Sequence, residues 1–269
     1  MPPSTSPNPD RPTACGSDVA AHDSGVSSNS ASVATPPPFE TFAPLTALPG
    51  IFHAFTQRTA ADTRADDYEA RLAASFGYRQ FARADQPHGN HVALIQSGTC
   101  SPGRGGPPRR VNLLAATGAD GMITNIPGLP LLVRCADCAA VFVVDPRTPA
   151  IGLAHSGKRG TLANIVAPLI AVMAKSFGTR PADCIAVISP CIGPCHYEMD
   201  LWTGIETQLR AAGVGTIHNP RLCTACHLDR YFSYRAEKGQ TGRLFALLAL
   251  RHRAEYLLSR CHRSASSGC

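Results

Sequence analysis

Apolar residues form two patterns along the chain, a helical spacing and short continuous runs, which together predict alternating strands and helices. Within residues 161–177 they return at steps of three and four, the period of a helix that buries one face. Shorter apolar runs are typical of buried strands. On these patterns we predict helices at 61–77, 161–177, 201–212 and 244–258. We predict strands at 91–96, 151–154 and 184–189, and two strands, or one strand and a bend, within 131–144.

The alternation of strands and helices predicts a mixed α/β fold. Residues 1–40 lack hydrophobic periodicity and are rich in Pro, Ser, Ala, Asn and Thr, which is typical of a disordered tail. Residues 98–110 consist mainly of Gly, Pro and Arg and predict a surface loop. We therefore expect a single domain, 41–269, that follows a disordered tail, 1–40.

Composition narrows the functional classes. The net charge is +6, but the 25 Lys and Arg residues are dispersed, so we expect small anionic ligands and no nucleic acid. No apolar run reaches the roughly 18–20 residues that span a bilayer, so we expect no membrane association. Eleven cysteines, an odd number without a secretory leader pattern, predict a cytoplasmic protein with reduced thiols. Some of these thiols are candidates for metal binding or catalysis.

A histidine stands where a predicted strand meets a glycine-rich turn. His155 follows the strand at 151–154, and Gly157-Lys-Arg-Gly160 leads into a predicted helix. The ends of strands are common functional positions in α/β proteins, and helix starts favour anions. The run fits this interpretation and a plain turn equally well. It also approaches a P-loop, but Arg159 stands where that motif needs Ser or Thr for magnesium, so we reject an ATPase.

The apolar run 131–144 contains the motif Cys135-Ala-Asp-Cys138. Such a pair is typical of a redox centre or of half a zinc site. In a regular strand the two thiols point to opposite faces, so we expect one to fill the core and the other to be a ligand. Asp137 is a candidate to orient a ligand.

Other His and Cys motifs carry weaker signals. Gln86-Pro-His88-Gly-Asn-His91 offers two histidines within four residues. Cys223-Thr-Ala-Cys226-His227 matches the haem-attachment pattern, but that chemistry requires export, which nothing in the sequence supports. The sequence separation between Cys138 and Cys223 is too long for a common zinc site built from two Cys-x-x-Cys pairs. Cys191-Ile-Gly-Pro-Cys195 has a turn-like sequence, and we interpret it as structural.

Ligand chemistry joins three of these residues. The imidazoles of His88 and His155 and the thiolate of Cys138 would fill three tetrahedral positions on zinc. The fourth position then stays open for water or substrate, which is the pattern of a catalytic site. Spacing alone does not select these three from ten histidines and eleven cysteines.

Several ordered motifs resemble those of the laccase-domain family, also called multicopper polyphenol oxidase-like or YfiH-like proteins. The resemblance runs from about Leu48 to the C-terminus. Its motifs are Gln86-Pro-His88-Gly89, Ala119-Asp-Gly-Met-Ile-Thr-Asn125, Ala136-Asp-Cys138, His155-Ser-Gly-Lys-Arg-Gly160, Pro190-Cys-Ile-Gly193 with Tyr197-Glu198, Cys223-Thr224, and Phe232-Ser-Tyr-Arg235 with Thr241-Gly-Arg243. The resemblance implies layered mixed β-sheets flanked by helices, and a catalytic zinc on His88, Cys138 and His155.

The resemblance also implies an activity, the phosphorolysis of purine nucleosides such as adenosine, inosine and methylthioadenosine, together with deamination of adenosine. The substrates would be purine nucleosides and phosphate. The predicted catalytic residues are Cys138, His155, Asp137 and Arg159, where Asp137 orients a ligand or transfers a proton. The residues predicted to bind substrate or phosphate are Gln86, Arg58 and Arg159.

The chain departs from the family's motifs near the predicted pocket. Ser156 and Lys158 stand where the family turn usually has Ala and Trp, and Phe55-Thr-Gln-Arg58 replaces Phe-Ser-Thr-Arg. These positions concern the choice of nucleoside more than the binding of metal.

Two other functions fit the same residues. The family is also described as copper-dependent polyphenol oxidases, so copper is the alternative metal. Ten scattered histidines without a His-x-His pair are nevertheless poor ligands for multicopper chemistry. A metal-free cysteine hydrolase would use Cys138 as nucleophile and His155 as base. A binding module without turnover is a further alternative, and we expect a monomer or a small homo-oligomer.

Overall fold

Twelve strands form two six-stranded sheets within residues 35–96 and 111–252, the part of the chain that this computed structural model describes. The first sheet holds, in spatial order, β1 (Phe39–Glu40), β2 (Ile51–Thr56), β12 (Leu244–Leu250), β7 (Leu131–Cys135), β3 (Gln80–Ala84) and β5 (Asn112–Ala116). The second holds β11 (Thr216–His218), β10 (Ile185–Ile188), β8 (Ala139–Asp145), β9 (Ala150–Ser156), β6 (Gly121–Thr124) and β4 (Val92–Leu94). Both sheets contain parallel and antiparallel pairs.

Five helices lie within the described residues: α1 (Ala43–Thr46), α2 (Tyr68–Ser75), α3 (Lys158–Leu162), α4 (Val166–Phe177) and α5 (Leu201–Ala211). Of these, α2, α4 and α5 cover the outer faces of the sheets, whereas Leu45 of α1 packs into the core between them. Leu72 of α2 packs with Phe245 on the first sheet, whereas α4 and α5 pack on the second. Between the sheets, Phe142 and Leu248 belong to one buried core. This arrangement confirms the predicted α/β class, with layered mixed sheets flanked by helices.

Several predicted elements are present with shifted ends. The strands predicted at 91–96, 151–154 and 184–189 are β4, β9 and β10, the run 131–144 forms β7 and β8, and the helix predicted at 201–212 is α5. Asp200 caps α5 by accepting a hydrogen bond from the Thr203 N–H at 3.0 Å. The helix predicted at 61–77 is limited to α2.

The helix predicted at 161–177 is two helices. Asn164 lies between α3 and α4 with φ of 53°, in the left-handed region that does not continue a right-handed helix. Helical spacing of apolar residues continues across this break, so the pattern alone predicted one element.

The prediction of a helix at 244–258 is wrong over its described part. Residues Leu244–Leu250 form β12, and residues 253–258 lie outside the described part of the chain. β12 is a central strand: Leu244, Ala246 and Leu248 pack between the sheets, and Phe245 and Leu247 pack on the outer face. Because both faces are buried, the run is continuously apolar, and periodicity does not distinguish such a strand from a buried helix.

The predicted tail, 1–40, lies outside the described residues as far as residue 34, and so does the loop predicted at 98–110. Phe39–Glu40 at the end of that tail pair antiparallel with β2, so ordered structure starts before residue 41. The described residues belong to one compact unit, 33–269. Among the helices described, none is long and apolar enough to cross a membrane.

Candidate active site

The site forms where the chain passes from the first sheet to the second. β7 ends at Cys135 and β8 begins at Ala139, so Asp137 and Cys138 lie in the connection. Asp137 has φ of 87°, a backbone conformation that is rare for residues other than glycine and often marks functional sites. The two cysteines separate at this turn: Cys135 is buried in the core between the sheets, whereas Cys138 faces the site.

His155 lies at the end of β9, beside Cys138. The register of β8 and β9 pairs Ala140 with His155, which brings the residue before β8 close to the turn after β9. His155 is 3% exposed, and its Nδ1 lies 3.1 Å from Oδ1 of the fully buried Asp120. Since Asp120 holds Nδ1, the Nε2 atom is the nitrogen left to bind a metal.

Asp120 organises His88 as well. Its carboxylate accepts the backbone N–H of His88 at 2.9 Å and that of Gly89 at 2.6 Å. Burial opposes ionisation of Asp120, but the hydrogen bonds from His155, Gly89 and His88 outweigh burial and lower its pKa. One ionised carboxylate therefore fixes the position of two histidines.

Gln86 completes the segment that carries His88. Both residues have positive φ, 66° and 67°. The Gln86 amide donates to the Arg134 carbonyl at 2.7 Å and accepts the Arg134 N–H at 2.8 Å, which ties the segment to β7. The predicted Gln86 side chain is thus engaged with the backbone, although it also lines the cleft described below.

The structure brings His88, Cys138 and His155 together, with ligand atoms that all lie within 4.8 Å of one another. The two imidazole rings meet edge to face with centroids 4.9 Å apart. Gly157 leaves room for this cluster, because a Cβ atom at that position would lie 2.6 Å from the Cys138 sulfur. Two imidazoles and one thiol in this arrangement could hold one metal ion.

Burial favours the neutral forms of the half-buried Cys138 and the buried His155. Burial, with a smaller contribution from Asp137 and Asp120, raises the pKa of the Cys138 thiol to about 12. Burial also lowers the pKa of His155 against the opposing hydrogen bond from Asp120. A neutral imidazole is the form that binds metal, and a bound cation favours the thiolate.

A cleft of about 920 Å³ opens onto the cluster. This volume suits a small-molecule ligand. Its wall is strongly basic and partly aromatic. The basic residues are Arg134, Lys158, Arg159, Arg235, Lys238 and Arg243, and the aromatic and apolar ones are Tyr197, Tyr234, Ile192, Leu201 and Ala136.

The remaining predicted site residues, Arg159, Asp137 and Arg58, differ in their position relative to the cleft. Arg159 is exposed and lines the cleft. Both oxygens of the buried Asp137 are occupied, one by the Thr224 hydroxyl and the other by the Arg235 N–H, each at 2.7 Å. Arg58 is not brought to the cleft: its guanidinium donates to the Tyr231 carbonyl at 3.0 Å and pairs with a glutamate, Glu237, at 2.9 Å.

Sequence reasoning missed the role of Asp120. The residue lies in one of the motifs that carry the family resemblance, but a lone Asp before a strand has no ligand spacing of its own. Its partners are 31 to 35 positions away in the sequence. The signal that could have found it is the habit of metal-binding histidines to donate their second N–H to a carboxylate.

Comparisons with known proteins identify the family and the fold of this chain. Residues 60–200 and 196–251 match the family model described as multi-copper polyphenol oxidoreductase laccase. The purine nucleoside phosphorylase YlmD of Geobacillus stearothermophilus is 30% identical, in an alignment that covers 51% of this chain and 62% of that protein. A purine nucleoside phosphorylase of Deinococcus radiodurans is 29% identical over 78% of this chain and 92% of its own length.

The same fold occurs in a solved structure. The crystal structure of YlmD from Geobacillus stearothermophilus superposes with a TM-score of 0.67 at 22% identity, covering 81% of this chain and all of that one. At this identity the likeness concerns the fold. The names of the sequence relatives support an enzyme. Because the family model matches the chain from residue 60 to residue 251, this protein belongs to the multi-copper polyphenol oxidoreductase laccase family.

Proposed function

We propose that the protein is a zinc-dependent purine nucleoside phosphorylase that also deaminates adenosine. The observation that carries this proposal is the cluster of His88, Cys138 and His155 at the base of a basic, partly aromatic cleft. Relatives named purine nucleoside phosphorylase support the substrate class. Adenosine, inosine and methylthioadenosine, with phosphate, are the proposed substrates.

Zinc fits the donor set of this cluster better than a group of coppers. Three protein ligands of types N, N and S leave a fourth tetrahedral position free, as in catalytic zinc sites. Multicopper chemistry needs many histidines, whereas the candidate metal clusters among the described residues contain three, His88, His155 and His196. A zinc ion held by these three residues would supply Lewis acidity and, for deamination, would lower the pKa of a bound water to about 7.

Arg159 is the proposed phosphate ligand. Lys158 and Arg235 on the same wall both pair with Glu198, at 3.0 and 3.1 Å. Within the described residues Arg159 pairs with no carboxylate, so its planar guanidinium is available for two parallel hydrogen bonds to phosphate. In phosphorolysis a phosphate oxygen bonds to the ribose C1′ while the bond from C1′ to the purine nitrogen breaks. The base leaves with the electron pair and takes up a proton.

Aromatic residues on the cleft wall suit the purine ring. Tyr197 and Tyr234 line the cleft together with Ile192, and they offer flat apolar surface to a base. The Arg235 guanidinium lies 4.9 Å from the centre of the Tyr197 ring, which holds that side chain in place. Asp137 accepts a hydrogen bond on each carboxylate oxygen, which ties Thr224 and the Arg235 segment to the connection that carries Cys138.

One observation favours a cysteine hydrolase as the second candidate. Asp120, His155 and Cys138 follow the order of a carboxylate, a base and a nucleophile. Against this function, the raised pKa of Cys138 leaves the thiol protonated near neutral pH, and the thiolate is the nucleophile. Chelation separates the two functions, because a cysteine hydrolase retains its activity without metal.

The test is chromatographic product analysis of a nucleoside panel, with metal analysis of the same protein. We expect free base from adenosine, inosine and methylthioadenosine only with phosphate, and inosine from adenosine without it. One zinc should be lost in Cys138→Ala and retained in the matched variant Cys184→Ala, which removes a buried thiol outside this cluster. Stoichiometric copper with little zinc in the active protein would overturn the choice of metal.

A further inference from the structure

A second group of metal-binding side chains lies outside the cleft wall described above. Cys195, His196, Cys223 and Cys226 bring three thiols and one imidazole together, with ligand atoms that all lie within 4.8 Å of one another. We propose that these four residues hold a structural zinc ion. Three thiolates and one imidazole form a recurring ligand set of closed structural zinc sites.

The distances between the ligand atoms match those of a zinc tetrahedron. Zinc–sulfur and zinc–nitrogen bonds of about 2.3 and 2.0–2.1 Å place two sulfurs about 3.8 Å apart, and a sulfur and a nitrogen about 3.6 Å apart. In the structure the sulfurs of Cys195 and Cys226 are 3.5 Å apart. The Nδ1 atom of His196 lies 3.3, 3.8 and 3.5 Å from the sulfurs of Cys195, Cys223 and Cys226.

The backbone around Cys223 is arranged as expected for a zinc turn. Cys223 and Cys226 have the two-residue spacing common in zinc sites, and a short 3₁₀ turn, Thr224–Cys226, joins them. The Gly193 N–H donates to the Cys223 sulfur at 3.2 Å, a contact that stabilises a thiolate. The cluster therefore includes the outer hydrogen bond that metal-bound cysteines commonly receive.

Backbone hydrogen bonds connect the two loops that supply the ligands. The Cys191 N–H donates to the Leu222 carbonyl at 3.1 Å, and the Thr224 N–H donates to the Cys191 carbonyl at 3.2 Å. A fixed scaffold thus places the two ligand pairs opposite each other, although His196 and Cys223 are 27 positions apart in the sequence. The sequence did not reveal this pairing, because Cys195 and His196 are adjacent and have no Cys-x-x-Cys spacing.

The second cluster differs from the first in its number of ligands. Four protein ligands close the tetrahedron, so no position remains for water or substrate. Cys195, His196 and Cys226 are exposed while Cys223 is buried, which places the cluster at the surface. Its expected role is to join two loops, not to carry out chemistry.

These loops form part of the cleft wall. The Ile192 N–H donates to the Asp137 carbonyl at 2.8 Å, and the Thr224 hydroxyl donates to the Asp137 carboxylate at 2.7 Å. Tyr197, which lines the cleft, directly follows His196. Zinc in the second cluster would therefore hold the wall next to Cys138 in place.

Metal content of the purified full-length protein, measured by native mass spectrometry, tests the proposal. We expect two zinc ions in the wild type, and one in His196→Ala and in Cys226→Ser. The matched control is His227→Ala: His227 is adjacent to Cys226 but outside the cluster, and this variant should keep both ions. Wild-type zinc content in both His196→Ala and Cys226→Ser would overturn the proposal.

A second experiment uses a variant that retains all four residues of the second cluster. Cys138→Ala removes a ligand of the first site only, so cobalt added to this variant after its zinc has been removed under reducing conditions should give the thiolate-to-cobalt absorption of a three-cysteine site. Absence of that absorption, or recovery of the variant with Cys195 and Cys226 joined in a disulfide and no bound metal, would overturn the proposal. Neither result depends on whether the enzyme is a phosphorylase.

Discussion

Asp120 is the residue through which the candidate active site is organised, although it is not one of the proposed metal ligands. It accepts hydrogen bonds from His155, His88 and Gly89, and it is fully buried. The sequence predicts imidazole and thiolate groups as the candidate metal ligands, because these are the groups that zinc prefers. Which residues of those types meet could not be predicted from spacing, because His88 and Cys138 lie in two separate connections and His155 lies at the end of β9.

The substitution Asp120→Asn tests this role. Asn retains the size of the side chain but loses the charge that orients His155, so we expect metal affinity to fall about 10–100-fold. Competition with a chromophoric chelator measures this affinity. Asp67→Asn removes an exposed carboxylate on the surface and should leave the affinity unchanged. Equal affinities in the two variants would contradict the assigned role.

Substitutions of Arg159 and Arg58 distinguish between the two residues that are predicted to bind phosphate. Removing a charged hydrogen-bonding partner costs roughly 1.5–3 kcal/mol, so Arg159→Met should raise KM for phosphate at least about tenfold. Arg58→Met should leave that KM unchanged, because its guanidinium is held by Tyr231 and Glu237. Steady-state kinetics at varied phosphate measure both, and the reverse ranking would assign phosphate to Arg58.

At the scale of elements, the spacing of apolar residues identifies a helix best where one of its faces is exposed. The amphipathic α5 was predicted within one residue of its end, whereas the fully buried β12 was predicted as a helix. Periodicity arises from the contrast between a buried and an exposed face, so an element buried on both faces carries no such signal. The break between α3 and α4 depends on the backbone of Asn164, which apolar spacing does not report.

Shortening a buried side chain of β12 tests the central position of this strand. Leu247 is 0% exposed, so Leu247→Ala should lower the free energy of unfolding by about 2–5 kcal/mol. Leu162 on α3 is 69% exposed, so Leu162→Ala should change the free energy of unfolding by less than about 0.5 kcal/mol. Urea unfolding measures both values. Similar small losses in the two variants would place residues 244–250 outside the core.

A histidine in β2 makes the start of α1 sensitive to pH. The buried His53 Nε2 accepts the Phe42 N–H at 2.7 Å, and burial lowers the pKa of His53 to about 4. The unfolded chain, with a pKa near 6.5, binds this proton more readily than the folded one. Stability from this group is therefore complete above about pH 6.5 and is lost as the pH falls towards 4.

The substitution His53→Gln removes this titration and retains an acceptor for the Phe42 N–H. Between pH 6.5 and 4 the unfolding free energy of the wild type should fall more steeply than that of the variant, by on the order of 3 kcal/mol. Chemical denaturation across this range measures both curves. Parallel curves would mean that His53 does not contribute to acid sensitivity.

At the scale of the whole molecule, two sheets packed face to face leave a cleft where β7 passes into β8. The α/β class could be predicted from the alternation of elements, but the strand order could not. β12, from the end of the described chain, lies between β2 and β7, and such long-range pairing leaves no local pattern. The same limit applies to the sites, since ligands from distant loops meet only after the sheets have formed.

The formation of ribose 1-phosphate from inosine, measured as phosphate is varied, tests the central claim most directly. The proposed function predicts ribose 1-phosphate and hypoxanthine in equal amounts, no cleavage without phosphate, and loss of cleavage in Cys138→Ala, where the metal site lacks its thiolate. Release of free ribose independent of phosphate, or wild-type turnover in Cys138→Ala, would contradict it.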